Sequence, residues 1–266
     1  MIDGRRCFIR RGKIWYHMRH SQMHRNMKQV TQIIRILQQG VTSPILCKTA
    51  DGVEYCCKGV HAGFASLCKE WICANIAQAL QLPIPEFEIL DVPLRLFENW
   101  NKAKGGNAPR LVNSGCHYVF GSRIIGEVKD VLNAEELAFK KVDARTMCRI
   151  LMFDRIIKNS DRNDGNSNLL MTSRRPPAVY IIDHNSAFDT NFDRDEFMRN
   201  HILRDFYSAV ETEAKDGFRR DVMKLLSDGL IADVKSRMPD VWVDSLTDYD
   251  AKSLENADAT IIKEVK

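Results

Sequence analysis

Apolar and polar residues alternate in short runs along the first half of the chain, and turn-forming residues separate these runs. Residues 45–49 and 53–60 form two such runs, with Ala50, Asp51 and Gly52 between them as a hairpin turn. Alternation of this kind is typical of strands with one buried face. Further strands are expected at residues 86–92 and 116–125, and residues 30–37 fit either a strand or a short helix.

Longer segments repeat their apolar residues with the period of an α-helix. The first covers residues 65–80 and ends before Pro83, because proline cannot continue a helix. The second covers residues 144–158 and follows Asp143, a residue type that suits the N-cap. Further helices are expected at residues 195–214, 218–227 and 231–238, and an exposed polar loop at residues 99–107. The pattern predicts an α+β fold with a mostly helical second half.

A loop rich in Asp, Asn and Gly follows the second helix and leads into a hairpin. One strand of the hairpin begins at the apolar run 169–171, and the other ends at Asp183. A hairpin places the start of its first strand beside the end of its second, so Asp161, Asn166 and Asn168 are expected near Asp183. Carboxylate and carboxamide oxygens suit a hard cation such as Mg²⁺ carrying phosphates. On the residues alone, the alternative is an ordinary Asx-rich loop between a helix and a hairpin, with or without bound Ca²⁺.

The spacing within this loop is also that of a kinase catalytic loop. Asp161 and Asn166 are five residues apart, and an aspartate ends a short strand downstream. The sequences SDRNDGNSNLL and YIIDHNSAFD resemble HipA-type serine/threonine kinases, particularly their compact stand-alone domains; the loop is also similar to that of the phosphoinositide kinases. The resemblance implies a bilobal protein-kinase-like fold, with a basic amino-terminal arm (1–28), a nucleotide-binding lobe (29–123) and a helical lobe (124–266).

The resemblance also implies roles for the loop residues, with ATP and Mg²⁺ as cofactors. Asp161 would accept or orient the acceptor hydroxyl, while Asn166 and Asp183 would hold Mg²⁺. Asn168 competes with Asn166 for the metal, because it adjoins the apolar strand. His184 would either orient Asp183 or lie in solvent.

Lys58 is the most informative residue of the first half. It lies near the end of an apolar strand-like run, where a buried charge needs a partner. The resemblance implies that Lys58 contacts the α- and β-phosphates of ATP and that Glu70, near the start of the first helix, holds it there. An edge-strand lysine facing water is the alternative.

Two further segments would bind the nucleotide. The loop at residues 40–43 would cover the phosphates: Gly40 permits a close approach, and Thr42 and Ser43 donate to phosphate oxygens. Ser43 is also the candidate for the phosphorylatable serine that HipA-type kinases carry in this loop. The chain would cross between the lobes within residues 116–125, where backbone groups contact adenine. The candidates there are Tyr118, Phe120 and Ser122, and a plain core strand is the alternative.

Composition narrows the class of protein. The 266 residues are enough for a large core, and a net charge of +4 does not indicate a nucleic-acid binder. No apolar run reaches transmembrane length, and no signal peptide is evident. The first 28 residues hold eight basic residues against one acid, which predicts a mobile basic tail; His17, His20 and His24 would share a face if this segment were helical.

The eight cysteines show no CxxC spacing. They are predicted to be reduced core residues of a cytoplasmic protein, and a zinc site drawn from residues 47–73 is the alternative. The predicted function is transfer of the ATP γ-phosphoryl group to a protein serine or threonine, with an antitoxin-like partner implied by the resemblance. A lipid or small-molecule kinase and a non-catalytic nucleotide-binding module are the alternatives.

Overall fold

The computed structural model describes residues 27–37, 42–131, 133–139, 141–174 and 176–265, and the backbone of two strands nearer the amino terminus. These strands, β1 (Arg6–Arg10) and β2 (Lys13–His17), pair antiparallel, so the arm predicted to be a mobile tail contains a hairpin. His17 ends β2 and is not helical. His20 and His24 lie outside the described residues.

Five strands of alternating pattern form an antiparallel sheet in the order β3-β4-β5-β7-β6. The strands are β3 (Val30–Ile36), β4 (Ile45–Thr49), β5 (Glu54–Lys58), β6 (Phe87–Asp91) and β7 (Tyr118–Arg123). Residues 30–37, which fit either a strand or a short helix by sequence, therefore contain a strand. Gly52, in the turn between β4 and β5, has φ = +81°, a conformation that glycine adopts without steric cost.

Two helices cover the two faces of this sheet. Helix α2 (Leu94–Ala103) packs Phe97 against one face, while α1 (Phe64–Ala79) covers the other, following the short 3-10 turn Val60–Ala62. The prediction of a polar loop at residues 99–107 is wrong for residues 99–103, which belong to α2. Leu94, Phe97 and Trp100 recur at helical spacing and hold that part of α2 against the sheet.

The second half of the chain is mostly helical, as predicted, around a three-stranded sheet in the order β10-β9-β8. Asp143 caps the second predicted helix, and its carboxylate accepts the backbone N–H of Thr146 at 2.8 Å. The elements are β8 (Val128–Asp130), α3 (Ala134–Phe139), α4 (Ala144–Ile156), β9 (Leu169–Thr172), β10 (Val179–Ile181), α5 (Arg194–Asn200), α6 (Arg204–Ser208), α7 (Thr212–Ser227), α8 (Leu230–Ser236), α9 (Asp240–Asp244), α10 (Asp248–Glu255) and α11 (Ala257–Val265).

One helix predicted at residues 195–214 is instead divided among α5, α6 and the start of α7. The first break falls at His201, which has extended backbone dihedrals and a side chain that is only 2% exposed. A buried hydrogen bond between this side chain and Asp154 outweighs the local helical pattern at that point.

The α+β class is confirmed, whereas the division of the chain at residue 123 stays a prediction. Helix α1 shares a core with the carboxyl-terminal helices, and the indole N–H of Trp71 donates to the carbonyl of Val234 at 3.0 Å. Within the described part of the chain, no helix combines the length and apolar content that crossing a bilayer requires.

Candidate active site

Lys58 ends β5 on the sheet face that α1 covers. Alternation along β5 sends Tyr55 and Cys57 into the core on the opposite face. Lys58 is 7% exposed, and its Nζ lies 2.6 Å from Oε1 of Glu70 and 2.7 Å from Oδ1 of Asp183. The alternative of an edge lysine facing water is therefore excluded. The predicted contact with Glu70 is present.

These three charged groups shift one another's pKa. Burial disfavours the ammonium, but the carboxylates of Glu70 and Asp183 outweigh it and hold the pKa of Lys58 above its ordinary value. Burial also opposes ionisation of Glu70, but Lys58 and His184 hold the pKa of Glu70 well below its usual range. For Asp183, burial and the charge of Glu70 outweigh Lys58 and raise its pKa. Asp183 is therefore the carboxylate of this cluster whose charge is least compensated.

Glu70 also fixes the chain on the far side of Asp183. Its Oε2 accepts the backbone N–H of His184 at 3.0 Å, so one buried carboxylate holds both the lysine and the segment that carries Asp183. The His184 ring is 1% exposed and packs edge-on against Phe153, with centroids 5.7 Å apart. His184 is thus a core residue, and the alternative of an exposed loop histidine is wrong.

The hairpin brings Asn168 next to the segment that leads from β10 into Asp183. The N–H of Ile182 donates to the carbonyl of Asn168 at 3.1 Å. Asn168 and Asp183 both have left-handed backbones, with φ of +47° and +58°, a region that Asn and Asp enter more readily than most residues. The amide Nδ2 of Asn168 lies 3.5 Å from Oδ2 of Asp161, so the loop aspartate and this asparagine share the site.

Asn166 occupies a different position from Asn168. It is exposed and closes a tight turn with Asn163, because each residue's N–H donates to the other's carbonyl. The side chain of Asn163 also accepts the N–H of Asn166 at 3.0 Å. The spacing of five from Asp161 therefore selects a turn residue, and Asn168 is the asparagine beside both Asp161 and the end of β10.

A buried polar network that the sequence reasoning missed lies beneath the loop. Arg162 and Asp154 are both fully buried, and Nε of Arg162 lies 2.7 Å from Oδ2 of Asp154. The guanidinium also donates to the backbone carbonyls of Ser167, Asn168 and Ile182. Burial opposes the charge of Asp154, but Arg162 and His201 hold its pKa below the usual range. In the sequence, the only sign of this network is a charged residue, Arg162, directly after Asp161.

The loop predicted to cover the nucleotide phosphates, residues 40–43, lies partly within the described residues. Gly40 lies outside the described residues, whereas Thr42 and Ser43 lead into β4, Ser43 with φ = +44°. The N–H of Leu37 donates to the carbonyl of Pro44 at 2.8 Å and closes the base of this loop.

Tyr118, Phe120 and Ser122 lie on β7 and not in a crossing segment. Phe120 and Ser122 have partners in both β5 and β6, so the sheet uses their backbone groups, and Phe120 is buried against Phe87. The alternative of a core strand fits these two residues better. The chain leaves the sheet only after Arg123.

The cysteines within the described residues form no disulfide: Cys47, Cys56, Cys57, Cys68, Cys73, Cys116 and Cys148 are free. Across the described part of the chain, no three His, Cys, Asp or Glu side chains are grouped so that they could hold a metal ion.

An open cleft of about 630 Å³ adjoins the loop. Ser160 and Asn163 line one wall, and the segment that follows Asp183 lines the other with Phe192 and Phe197. Asp161 directly follows Ser160 of this lining along the chain. The arrangement as a whole provides a buried cation between two acidic groups, with Asn168 beside Asp161, and these are the kinds of group that phosphoryl transfer requires.

A lysine on a five-stranded antiparallel sheet, paired with a helix glutamate and facing an aspartate after a hairpin, defines the kinase class of phosphotransferases. The model of the HipA-like kinase family matches residues 30–264, and the chain belongs to this family. The chain is thus a HipA-like kinase. A comparison with curated proteins gives no match.

Solved structures that are similar to this chain include two kinases. The proinflammatory kinase CtkA of Helicobacter pylori is 10% identical with a TM-score of 0.54, over 90% of this chain and 96% of that one. The Golgi casein kinase is 12% identical with a TM-score of 0.47, over 90% of this chain and 74% of that one. The likeness to CtkA shows that the two chains share a fold.

Proposed function

We propose that this kinase transfers the γ-phosphoryl group of ATP to serine or threonine hydroxyls of a protein, with Mg²⁺. The observation that carries the proposal is Nζ of Lys58 held within 2.7 Å of both Glu70 and Asp183 in a buried site. A cation fixed in this way is available to the α- and β-phosphates, and its position costs no reorganisation during the reaction.

The donor set fits Mg²⁺. Asn168 and Asp183 would hold the ion through oxygen atoms, and the raised pKa of Asp183 reflects a carboxylate that a further cation would stabilise. Asn168 replaces Asn166 in this role because it adjoins Asp161 and β10. When bound, Mg²⁺ supplies neutralisation of the phosphate charge.

The chain's own residues then orient the reactants. Asp161 accepts the proton of the acceptor hydroxyl while the acceptor oxygen bonds to the γ-phosphorus and the bond to the ADP oxygen breaks. Lys58 holds the α- and β-phosphates, and Thr42 and Ser43, with Gly40, cover them. Positioning of this kind accounts for most of the catalysis that phosphoryl transfer needs.

Adenine would lie against the backbone directly after β7, in residues 124–127. Support comes from the pairing of β7 on both sides and from Ile124, a large apolar side chain that is 39% exposed at this point. A cytoplasmic location also belongs to the proposal and is supported by the free cysteines of the described residues. An antitoxin-like partner is supported by the family resemblance alone.

Purified protein incubated with Mg²⁺ and γ-labelled ATP tests the proposal. Protein acceptors and phosphoinositide vesicles would be supplied in separate reactions, followed by phosphoamino-acid analysis. Label on serine or threonine is expected, and it should disappear in the Asp161→Asn variant. Label on lipid alone would favour the lipid kinase, and absence of label on protein, lipid and the enzyme itself would favour a non-catalytic module.

A further inference from the structure

His201 connects the two sides of the candidate active site. It lies between α5 and α6, next to the wall of the cleft, and its ring packs against Phe197 with centroids 4.8 Å apart. The ring is nevertheless buried, and its Nε2 lies 3.1 Å from Oδ2 of Asp154 beneath the loop. We call the side of the cleft that Phe192 and Phe197 line the acceptor wall, because the proposed acceptor would lie there. The His201 side chain therefore contacts both the acceptor wall and the buried network.

The hydrogen bonds determine which nitrogen carries the proton. The backbone N–H of Leu203 donates to Nδ1 of His201 at 3.1 Å, so Nδ1 is the acceptor. The neutral ring then carries its proton on Nε2 and donates it to Asp154. Each ring nitrogen thus has one specified role, and no other orientation of the ring satisfies both partners.

Asp154 connects the His201 ring to the residues that would hold Mg²⁺. Its carboxylate holds Arg162, and the Arg162 guanidinium donates to the carbonyls of Asn168 and Ile182. These carbonyls belong to Asn168 itself and to the residue before Asp183. A second link runs through the backbone, where the N–H of Ile202 donates to the carbonyl of Arg162 at 3.1 Å.

We propose that His201 is a positioning residue that couples the acceptor wall of the cleft to the metal-holding residues through Asp154 and Arg162. The inference rests on the proposed function, since it concerns the same site. It goes further because it proposes that the segment after Asp183 helps to position Asn168 and Asp183. This role is separate from any contact between that segment and the acceptor.

Two substitutions separate the roles of the ring nitrogens. His201→Gln retains an amide N–H that can reach Asp154 in place of Nε2. His201→Asn is shorter: its amide oxygen can still accept the N–H of Leu203, but its amide N–H falls short of Asp154. Asp195→Asn is the matched control, because Asp195 is an exposed residue on α5 outside the cleft lining.

The decisive readout is hydrolysis of ATP with water as acceptor, measured per folded molecule and without any protein acceptor. This reaction involves no protein acceptor, so it reports the residues that would hold Mg²⁺ and orient the attacking oxygen, apart from any contact between the acceptor wall and a protein. His201→Asn should lower kcat at least about tenfold with the KM for ATP within about twofold, because small misplacements of catalytic groups reduce rates steeply. His201→Gln should stay within about threefold of wild type, as should the control.

Several outcomes overturn the inference. If the Asn and Gln variants have equal kcat values, His201 has only a structural role in the fold. If only the KM for the acceptor changes, His201 affects the acceptor wall and not the residues that would hold Mg²⁺. If the Asn variant does not fold, Phe197→Leu serves instead: it loosens the ring of His201 and should lower the same kcat, whereas an unchanged kcat refutes the coupling. A wild-type protein that neither hydrolyses ATP nor transfers phosphate would overturn the proposed function, and this inference with it.

Discussion

Arg162 and Asp154 form an ion pair in which neither side chain is exposed to solvent, with Nε and Oδ2 separated by 2.7 Å. The pair lies directly beneath the loop that carries Asp161. Its charges are compensated by each other and by the hydrogen bonds of Asn159 and His201 to the carboxylate. A buried pair of this kind is costly to break from one side, because the remaining charge is left without a partner.

The stability of the protein should therefore depend on pH through Asp154. The pKa of Asp154 is depressed in the folded state, so the unfolded state takes up the proton first as the pH falls. Its stabilisation is present above pH ~3.9, the ordinary value for aspartate, and is lost progressively below it. Urea unfolding should find Asp154→Asn less stable than wild type by about 3 kcal/mol at pH 7, with the difference shrinking below pH ~4.

Asp221→Asn is a suitable control for this measurement, since Asp221 is exposed on α7. Its free energy of unfolding should follow that of wild type at every pH. A difference between wild type and Asp154→Asn that persisted unchanged at pH ~3 would contradict the assignment.

Asn168 and Asn166 should differ in their effect on the metal requirement. Asn168→Ala removes a side chain beside Asp161, and the Mg²⁺ concentration for half-maximal activity should rise at least about tenfold. Asn166→Ala removes an exposed turn side chain and should leave that concentration within about twofold. Titration of activity with Mg²⁺ at saturating ATP checks both, and the reverse order would restore Asn166 as the ligand.

Asp183→Asn should separate activity from stability. The raised pKa of Asp183 means that folding does not favour its charge, so an isosteric neutral side chain should change the free energy of unfolding by less than about 1 kcal/mol. Turnover should fall at least about a hundredfold, because a metal-holding carboxylate is lost. Steady-state kinetics and urea unfolding on the same preparation test this, with Asp195→Asn as the control. Full turnover in the variant would remove Asp183 from the site.

Gly59 should be intolerant of a side chain. A Cβ at this position would lie 1.9 Å from the carbonyl oxygen of Leu111, which accepts the N–H of Val60. Gly59→Ala must displace that backbone next to Lys58, and its free energy of unfolding should drop by about 2 kcal/mol or more. Gly217→Ala, in α7 where a Cβ has room, should be neutral or stabilising. Equal stability of the two variants would show that the backbone at Leu111 yields easily.

Several predicted roles depend on tertiary contacts that counting along the chain does not contain. Counting from Asp161 selects Asn166, and the place before the expected crossing selects Phe120 and Ser122. Neither argument could include β7 inserting between β5 and β6, or the turn that Asn163 closes on Asn166. Likewise, the helical pattern at residues 195–214 contained no sign that His201 would turn inward to Asp154.

The sequence by itself determined the class of fold, the run that ends in Lys58, the helix that carries Glu70, and the Asp161 loop with its downstream Asp183. These can be predicted from local features, namely the period of apolar residues, a capping aspartate and turn residues, because each of these features acts over a few positions. Only the tertiary structure decided which side chains meet: Lys58 between two carboxylates, Asn168 beside Asp161, and Arg162 buried against Asp154 and His201. Those contacts join residues distant in sequence, and they form because a charge removed from water must find its partner wherever the packing of the chain brings one.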